Sequence, residues 1–386
     1  MKNKQNISPR TRKTTNILFC GDVCLNDSEY SISKSTVDLF RQSDFKIMNL
    51  EAPILSKEKT KHPLPKAGPN LFQTPESVGK LSRALDINYF GGANNHISDY
   101  GMEGIESTQK FLRGENINFF GAGKNKDEAK KYVNLTSEIV VLAAAEDEFG
   151  VSDNNQFGYY SLYNNEVIET IENLKRLGKT VIIYGHGGGE EIPLPPRYLR
   201  DRYKELIDSG AKIIVSHHPH IPQGYEKYKD GLIYYSLGNF VHASYKKSYG
   251  NILSIQLLGN KIVNSKLYAV DSNLQNIQIR KLNKFEQKYL NTINSTLNDQ
   301  ERYKSILNIQ STDMFNMYYK SYFSKINFEN GNTDILLLLV LLRNNSHREF
   351  ILNALNVLTD KEINGSYLTD KIKYKILKLF IRNKLY

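Results

Sequence analysis

Residues 212–220, KIIVSHHPH, are the stretch from which the fold of this chain can be predicted. The β-branched run Ile213–Val215 favours a buried β-strand, and histidines follow it directly. Residues 180–188, TVIIYGHGG, repeat this pattern and place His186 where the apolar run stops. A single histidine after a strand is more often structural than functional. Two strands that both end in imidazoles predict a site at one edge of a parallel sheet.

Three earlier apolar runs also end in polar residues, and helical segments alternate with the strands. These runs are NILFCGDV (16–23), FKIMNLEAPI (45–54) and INYFGGANNH (87–96). Further strands are predicted near 117–123 and 138–145, and helices near 101–112, 164–177 and 196–209. Regular alternation of this kind predicts a layered α/β fold.

The polar residues at the strand ends form one set of candidate metal ligands. A carboxylate can bridge two cations, while imidazoles and an amide oxygen complete the coordination. Taken singly, each residue has an ordinary explanation, such as a turn aspartate or a structural histidine. Their joint position at the carboxyl ends of strands, where ligands gather in α/β sheets, carries the prediction. The six candidates are Asp22, Glu51, Asn95, His186, His218 and His220.

The organisation of the chain changes after Gly231. Strands are predicted at 231–242, 251–258 and 261–270 without helices between them, and Gly259-Asn260 is a hairpin signal. This pattern favours a second, antiparallel-leaning sheet. From residue 281 onward the spacing of apolar residues is helical. We therefore divide the chain into a basic arm (1–14), an α/β domain (15–280) and a helical C-terminal region (281–386).

The net charge of +10 is concentrated at the two ends of the 386-residue chain. It is not interleaved with aromatic residues as in nucleic-acid-binding proteins, so no specific nucleic-acid partner is expected. Solvated termini and attraction to an anionic membrane or polymer both explain it. Near the C-terminus, Ile372, Ile376, Leu379 and Phe380 share one predicted helix face opposite the lysines. That face either packs on the domain or docks on a membrane.

The longest apolar run, residues 335–342, is too short to span a bilayer. No apolar segment typical of a secretory signal follows the polar N-terminus. We expect a cytoplasmic protein, with peripheral membrane contact as an alternative. The two cysteines, Cys20 and Cys24, do not indicate a disulfide framework.

Six ordered motifs resemble the CapA family, which is associated with poly-γ-glutamate capsule biosynthesis. They are FCGDVCLND, FKIMNLEAPI, GANNHISDYG, VIIYGHGGGEE, LIDSGAKIIVSHHPHIPQG and GLIYYSLGNFVH, and the resemblance covers roughly residues 15–272. The resemblance implies a four-layer α/β/β/α sandwich like that of calcineurin-type metallophosphatases. It implies metal-binding roles for the six candidate ligands and a catalytic role for Asp22. His96 would assist the leaving group, and Asn239 would be structural.

Two departures concern the site, one from the wider phosphatase pattern and one from the CapA family. Where those enzymes have Asp-x-His, this chain has Asp22-Val23-Cys24 and lacks one imidazole ligand, so one metal subsite is expected to be weak. Cys24 is interpreted as a buried cysteine near the site rather than a ligand. Gly187 stands where the family often has tryptophan, which predicts a wider or more mobile pocket wall.

The resemblance leaves the reaction open. The first hypothesis is a phosphoesterase-type hydrolase that uses one or two divalent ions (Mn, Zn, Mg or Fe) in capsule or cell-envelope polymer biosynthesis. The second is a non-catalytic accessory protein that binds an anionic polymer or a synthesis complex, and the third is a γ-glutamyl amide hydrolase. Weak candidates for contacts to an anionic substrate are Lys57, Lys66, Glu190, Arg197 and Arg200.

Overall fold

Alternating residues of the first strand, β1 (Thr15–Cys24), pack into two different apolar layers. Ile17 and Phe19 contact the second sheet, whereas Leu18 and Cys20 contact helices on the outer face. All four side chains are fully buried. Burial on both faces explains why this strand is almost continuously apolar rather than alternating. The computed structural model describes residues 14–26, 29–56, 58, 62–66, 68–273, 275–325, 332–359 and 366–385, so Lys57 and nearly all of the basic arm lie outside the described residues.

The described residues form two large sheets and one small one. The first large sheet has the order β2-β17-β16-β15-β1-β3-β4-β5, with β14 also paired to the end of β1. The second has the order β12-β13-β11-β10-β8-β7, and β6 pairs with β9. The remaining strands are β2 Ser31–Ile32, β3 Phe45–Leu50, β4 Tyr89–Gly91, β5 Asn118–Phe120, β6 Ala122–Gly123, β7 Val133–Asn134, β8 Ile139–Ala145, β9 Gly158–Tyr159, β10 Thr180–His186, β11 Ala211–His217, β12 Pro222–Tyr228, β13 Gly231–Leu237, β14 Asn239–His242, β15 Ser248–Leu258, β16 Lys261–Asn273 and β17 Asn276–Lys281.

Helices cover the outer faces of both sheets. Helices α1 and α2 pack on the first sheet, and α5, α6 and the C-terminal helices pack on the second. A third apolar cluster fills the space between the sheets. The predicted four-layer α/β/β/α sandwich with a C-terminal helical region is thereby confirmed. The helices are α1 Lys34–Arg41, α2 Pro75–Leu85, α3 Gly101–Gly114, α4 Lys126–Ala129, α5 Glu166–Arg176, α6 Arg197–Ser209, α7 Lys284–Leu297, α8 Gln300–Met314, α9 Lys320–Lys325, α10 Asn332–Arg343, α11 Asn345–Thr359 and α12 Ser366–Leu385, with a π-helical turn at Phe315–Tyr319 between α8 and α9.

The strands after Gly231 do not form a separate sheet as the sequence suggested. The hairpin between β15 and β16 forms at Gly259, whose φ of 60° suits glycine. However, β15 pairs with β1 in the first sheet, whereas β13 pairs with β11 in the second. The strands are shared between both sheets because β15 is apolar enough to be buried beside the central strand β1. Consequently β14 reaches the end of β1 and the candidate ligands there.

The C-terminal helices share an apolar cluster with α5, α6 and the second sheet. Helix α7 begins after a capping box in which Asn283 and Glu286 satisfy each other's backbone N–H groups. Helix α12 packs through Tyr374, Leu377 and Ile381 rather than through the predicted face. Of that face, Phe380 stacks on Tyr289 at 4.3 Å between ring centroids, and the other three residues are exposed. Within the described residues, no helix is both long and apolar enough to cross a membrane.

Candidate metal centre

Asp22 lies at the centre of the cluster, near the end of β1, and is fully buried. Its Oδ1 accepts a hydrogen bond from Asn49 Nδ2 at 2.8 Å and lies 3.0 Å from His217 Nδ1. Its Oδ2 accepts the backbone N–H of His218 at 3.1 Å. The loop after β11 is thus tied directly to the end of β1. Because β1 and β11 belong to different sheets, Asp22 joins the two halves of the sandwich.

Glu51, one residue after β3, is fully buried, and neither carboxylate oxygen has a hydrogen-bond partner among the described residues. Its Oε2 lies 3.2 Å from His242 Nε2, and its Oε1 lies 3.7 Å from His220 Nε2. Burying a carboxylate without donors is costly unless a cation or a proton is bound. Burial raises the pKa of Glu51, and the nearby Asp22 carboxylate raises it further.

Three groups of side chains have ligand atoms close enough to hold an ion. Within each group these atoms lie within 4.8 Å of one another, and every residue is buried. Glu51 belongs to two of the groups, and His186 belongs to two as well. Of these two shared residues, the carboxylate of Glu51 has two oxygens and could bridge two neighbouring cations. The groups are Asp22, His186 and His217; Glu51, His220 and His242; and Glu51, His186 and His218.

His217 and His242 are in these groups but were not among the predicted ligands. His217 is the register partner of His186 in the neighbouring parallel strand, and the two Nδ1 atoms lie 2.8 Å apart. The strand ends at His217, and His218 and His220 both have positive φ, so simple alternation does not apply beyond it. His242 is the register partner of Cys24. Its signal in the sequence was the end of GLIYYSLGNFVH, another strand that stops at a histidine.

Asn95 and His96 follow β4 and face the same centre. Asn95 Oδ1 lies 3.1 Å from His186 Nε2, and its Nδ2 donates to Glu148 Oε2 at 2.8 Å. Glu148, which no sequence pattern indicated, therefore orients the amide. His96 Nδ1 lies 2.8 Å from Asp99 Oδ2 and 3.0 Å from Lys66 Nζ. This arrangement occupies Nδ1 and leaves Nε2 for contacts with a ligand.

Two residues that were predicted to be structural lie beside the cluster. Asn239 is fully buried, is the register partner of Asp22, and places its Oδ1 2.9 Å from His220 Nδ1. A polar partner on one ring nitrogen orients the other nitrogen toward a metal. Cys24 is buried and belongs to none of the ligand groups among the described residues. Burial raises the pKa of its thiol, and Glu51 adds to this effect, which favours the uncharged thiol over a thiolate ligand.

The electrostatics of the cluster favour neutral imidazoles, the form that binds metals. Burial lowers the pKa of His186 well below its usual value and lowers those of His218 and His242 to about 4. His220 differs. Burial would lower its pKa, but the Glu51 carboxylate contributes to an overall increase. For Asp22, burial acts to raise the pKa, but His217 and neighbouring imidazoles outweigh it and lower the pKa far below its usual range.

A cavity of about 300 Å³ opens beside the cluster. Of the predicted substrate contacts, Lys66 and Glu190 line it. Arg200 does not. It is buried, donates to Glu226 Oε2 at 2.6 Å and lies over the ring of Tyr303. Arg197 has an exposed side chain beside Asp201 and is not among the lining residues either. Both arginines therefore contribute to the packing and surface of α6 rather than to the cavity.

Gly187 does not widen the wall of the site as the sequence suggested. A Cβ atom at this position would lie 2.9 Å from Glu146 Cβ, so the side chain of Glu146 already occupies that space. Glu146 is itself fixed by hydrogen bonds from Gly188 N and from the backbone and hydroxyl of Ser346. The buried side chain of Glu146 therefore occupies the space into which a side chain at position 187 would extend.

Fold and site together define a layered α/β protein with a buried centre of imidazoles and carboxylates. The model of the family described as Bacterial capsule synthesis protein PGA_cap matches residues 16–244. The chain belongs to this family, which confirms the resemblance found in the motifs.

Individual relatives agree with the family match. The chain is 31% identical over 211 residues to the capsule biosynthesis protein CapA of Bacillus anthracis, covering 52% of this chain and 51% of that protein. It is 30% identical over 221 residues to the PGA biosynthesis protein CapA of Bacillus subtilis (strain 168), covering 55% and 56%. The chain thus spans about half the length of these relatives. A dimetal phosphatase from Danio rerio aligns with a TM-score of 0.34 and 7% identity, over 70% of this chain and 99% of that one.

Proposed function

We propose that this chain is a metal-dependent hydrolase of the phosphoesterase type that acts in the biosynthesis of capsule, poly-γ-glutamate or another cell-envelope polymer. The observation that carries the proposal is Glu51, a fully buried carboxylate without a hydrogen-bond partner among the described residues, faced by His220 and His242. Native structures rarely leave a buried charged group unsatisfied without a functional reason. A divalent cation is the partner that this donor set suits.

The donor set also fits two cations. Asp22, His186 and His217 would hold one ion, and Glu51, His220 and His242 would hold the other. His217 Nε2, His218 Nδ1 and His242 Nε2 are further buried atoms without hydrogen-bond partners in the described structure. Divalent ions at such a site activate water and stabilise negative charge on a phosphoryl group. His242 lies beside Cys24 and compensates for the imidazole that the Asp-Val-Cys sequence lacks.

His96 is the candidate group for proton transfer to the leaving group. It lines the cavity, and Asp99 and Lys66 hold its Nδ1 so that Nε2 is the nitrogen that can carry the transferred proton. Asp99 is fully buried and also pairs with Lys66, which keeps the ring fixed. Lys66 contributes positive charge at the edge of the cavity, where an anionic substrate would enter.

Elemental analysis and hydrolysis of bis-p-nitrophenyl phosphate test the proposal together. Protein purified without chelator should retain divalent metal and hydrolyse the diester. Asp22→Ala and His218→Ala should lose both properties, while His96→Ala should keep the metal and lose rate by about 10²–10⁴-fold. His62→Ala, which removes an exposed histidine, is the matched control. Absence of turnover after reconstitution with Mn or Zn would favour an accessory, polymer-binding protein, and cleavage of γ-glutamyl oligomers would favour an amide hydrolase.

A further inference from the structure

The wall of the cavity opposite the candidate ligands comes from the C-terminal helices, which lie outside the family match at residues 16–244. The ligand side of the cavity includes Asn95, His96 and Glu148. Three tyrosines from the π-helical turn and α9, together with a histidine and three apolar residues, form the other side. These residues are Met314, Tyr318, Tyr319, Tyr322, Val340, Leu341 and His347.

Hydrogen bonds between buried side chains connect this wall to the ligand side of the cavity. Asn344 is fully buried, accepts the backbone N–H of His347 at the start of α11, and donates to Glu148 Oε1 at 2.6 Å. The other oxygen of Glu148 holds Asn95. Ser346, also fully buried, donates to Glu146 through its backbone and its hydroxyl. The helices are thus fixed to two of the three carboxylates that follow β8.

The side chains of the wall are themselves positioned. Tyr319 donates or accepts a hydrogen bond with His347 Nδ1 at 2.7 Å and is almost completely buried. Tyr318, by contrast, is 37% exposed, and Tyr322 is partly exposed, so their rings are available to a ligand. The π-helical turn that contains Tyr318 and Tyr319 shifts the register of the helix, a feature often found at functional sites.

The chemistry of this wall favours one class of ligand. Aromatic and aliphatic surface faces the cavity, and its charged lining residues include three carboxylates, Glu148, Glu190 and Glu191, and the ammonium group of Lys66, which pairs with Asp99. Additional negative charge on a substrate would be repelled there, whereas a neutral group with apolar surface would be accepted. The cavity of about 300 Å³ is at the lower end of the range for small-molecule sites, so it accommodates a small group rather than a polymer segment.

We infer that the C-terminal helices form the specificity wall of the site and that the cavity binds a phosphate ester whose ester group is small, uncharged and at least partly apolar or aromatic. This inference rests on the proposed function, because the phosphate would be held by the candidate metal centre. The residues that set the preference are Tyr318 and Tyr322. The region of the chain beyond the family match thus determines which ester is accepted.

Binding of two non-hydrolysable probes tests the inference without requiring turnover. Methylphosphonate and phenylphosphonate are titrated calorimetrically into the full chain saturated with Mn²⁺. The wild type should bind phenylphosphonate about tenfold more tightly, a ratio that corresponds to about 1.4 kcal/mol. Tyr318→Ala and Tyr322→Ala should each reduce this preference while leaving methylphosphonate affinity within about twofold. Tyr318→Phe keeps the ring and should keep the preference.

The control is Tyr132→Ala, which truncates a tyrosine of similar exposure (39%) that does not line the cavity. An equal affinity for both phosphonates, or a preference that both alanine variants retain, would overturn the inference. Displacement of phenylphosphonate by oligo-γ-glutamate, with weaker binding of that oligomer to Tyr318→Ala, would overturn the uncharged class of ester. A preserved preference without hydrolysis of any phosphoester would contradict the proposed function alone. If neither phosphonate bound, both the inference and the proposed function would be contradicted.

Discussion

The family-matched part of the chain (residues 16–244) and the C-terminal helices (284–385) differ in whether their buried polar groups have hydrogen-bond partners. In the first region Glu51 and three imidazoles are buried with polar atoms that have no hydrogen-bond partner. Among the described residues of the helices, no buried side-chain nitrogen or oxygen lacks a partner. Glu286, for example, is fully buried and accepts hydrogen bonds from Arg280, Lys384 and Asn283 N.

This difference indicates that the family-matched part contains the ligand site and that the C-terminal helices hold it in position. Buried polar groups that are fully hydrogen-bonded stabilise one packed arrangement, and they leave no capacity for a ligand. Buried groups without partners destabilise the fold unless something binds there. The cluster around Glu51 therefore has the features of a ligand site. The helices instead line the cavity with a surface whose buried polar groups are already hydrogen-bonded, and they hold Glu148 in place.

The largest effect on metal content and turnover is expected when a buried carboxylate of the family-matched part is replaced by an amide. The same replacement in the C-terminal helices serves as the comparison. Glu51→Gln should remove a shared ligand, so the metal content should fall and turnover should drop by more than about hundredfold. Without metal, the stability of this variant should equal or exceed that of the wild type, because a buried carboxylate without hydrogen-bond donors is gone. Glu286→Gln should leave metal content unchanged and lower the free energy of unfolding by about 2 kcal/mol. Elemental analysis and urea unfolding of both variants make the comparison.

The pH dependence of stability distinguishes the same two carboxylates. Burial acts to raise the pKa of Glu286, but Arg280 and Lys384 outweigh it and lower the pKa to about 2. A depressed pKa means that Glu286 stabilises the fold fully above its unfolded value and loses this contribution as the pH falls toward 2. The stability difference between wild type and Glu286→Gln should therefore shrink between about pH 5 and about pH 2. A constant difference over that interval would contradict the assignment of Glu286 as a charged, structural group.

The next largest effect on metal binding is expected at His242, the candidate replacement for the imidazole that Asp22-Val23-Cys24 lacks. His242→Ala should remove about one equivalent of metal, because it takes an imidazole from the group that contains Glu51 and His220. Cys24→Ala, which changes the register partner on β1, should retain both metal and activity. Metal titration with an indicator dye reports both variants. Loss of metal from Cys24→Ala, with His242→Ala unaffected, would reverse the roles given to these residues.

The sequence predicted a layered α/β fold and most of the strand ends because burial on both faces makes these strands continuously apolar, and the four-layer arrangement was implied by the resemblance to the CapA family. It placed His186, His218 and His220 at the site, and the structure brings them together. His242 was not predicted because its strand enters the first sheet beside β1, a pairing that depends on long-range packing. Glu148 and the helical wall left no periodic signal, since their contacts join residues about 200 positions apart.

A smaller effect is expected from loosening the contact between the two regions. Asn344→Ala removes the side chain that caps α11 and holds Glu148, so metal affinity or rate should fall by about tenfold. Loss of the cap should also cost about 1 kcal/mol of stability. Asn283→Ala, which removes the cap of α7 in the same region, is the matched control and should cost similar stability without changing the rate. If both variants lose only stability, the helices do not position the site.

The smallest effect should come from the exposed face of α12, where we propose contact with an anionic membrane surface. Ile372, Ile376 and Leu379 are each more than half exposed, and the helix carries six basic residues from Lys371 to Lys384, of which Lys378 and Lys384 pair with Asp313 and Glu286. An apolar helix face opposite a basic one favours binding at a lipid interface, with about 1 kcal/mol from each basic residue that reaches the surface. Ile376→Asp should therefore weaken sedimentation with phosphatidylserine vesicles severalfold, and high salt should do the same. Leu177→Asp, at a 72% exposed leucine in the other region, should leave vesicle binding unchanged. Equal binding to neutral and anionic vesicles, or equal loss in both variants, would remove the membrane role and leave α12 as a part of the wall's support.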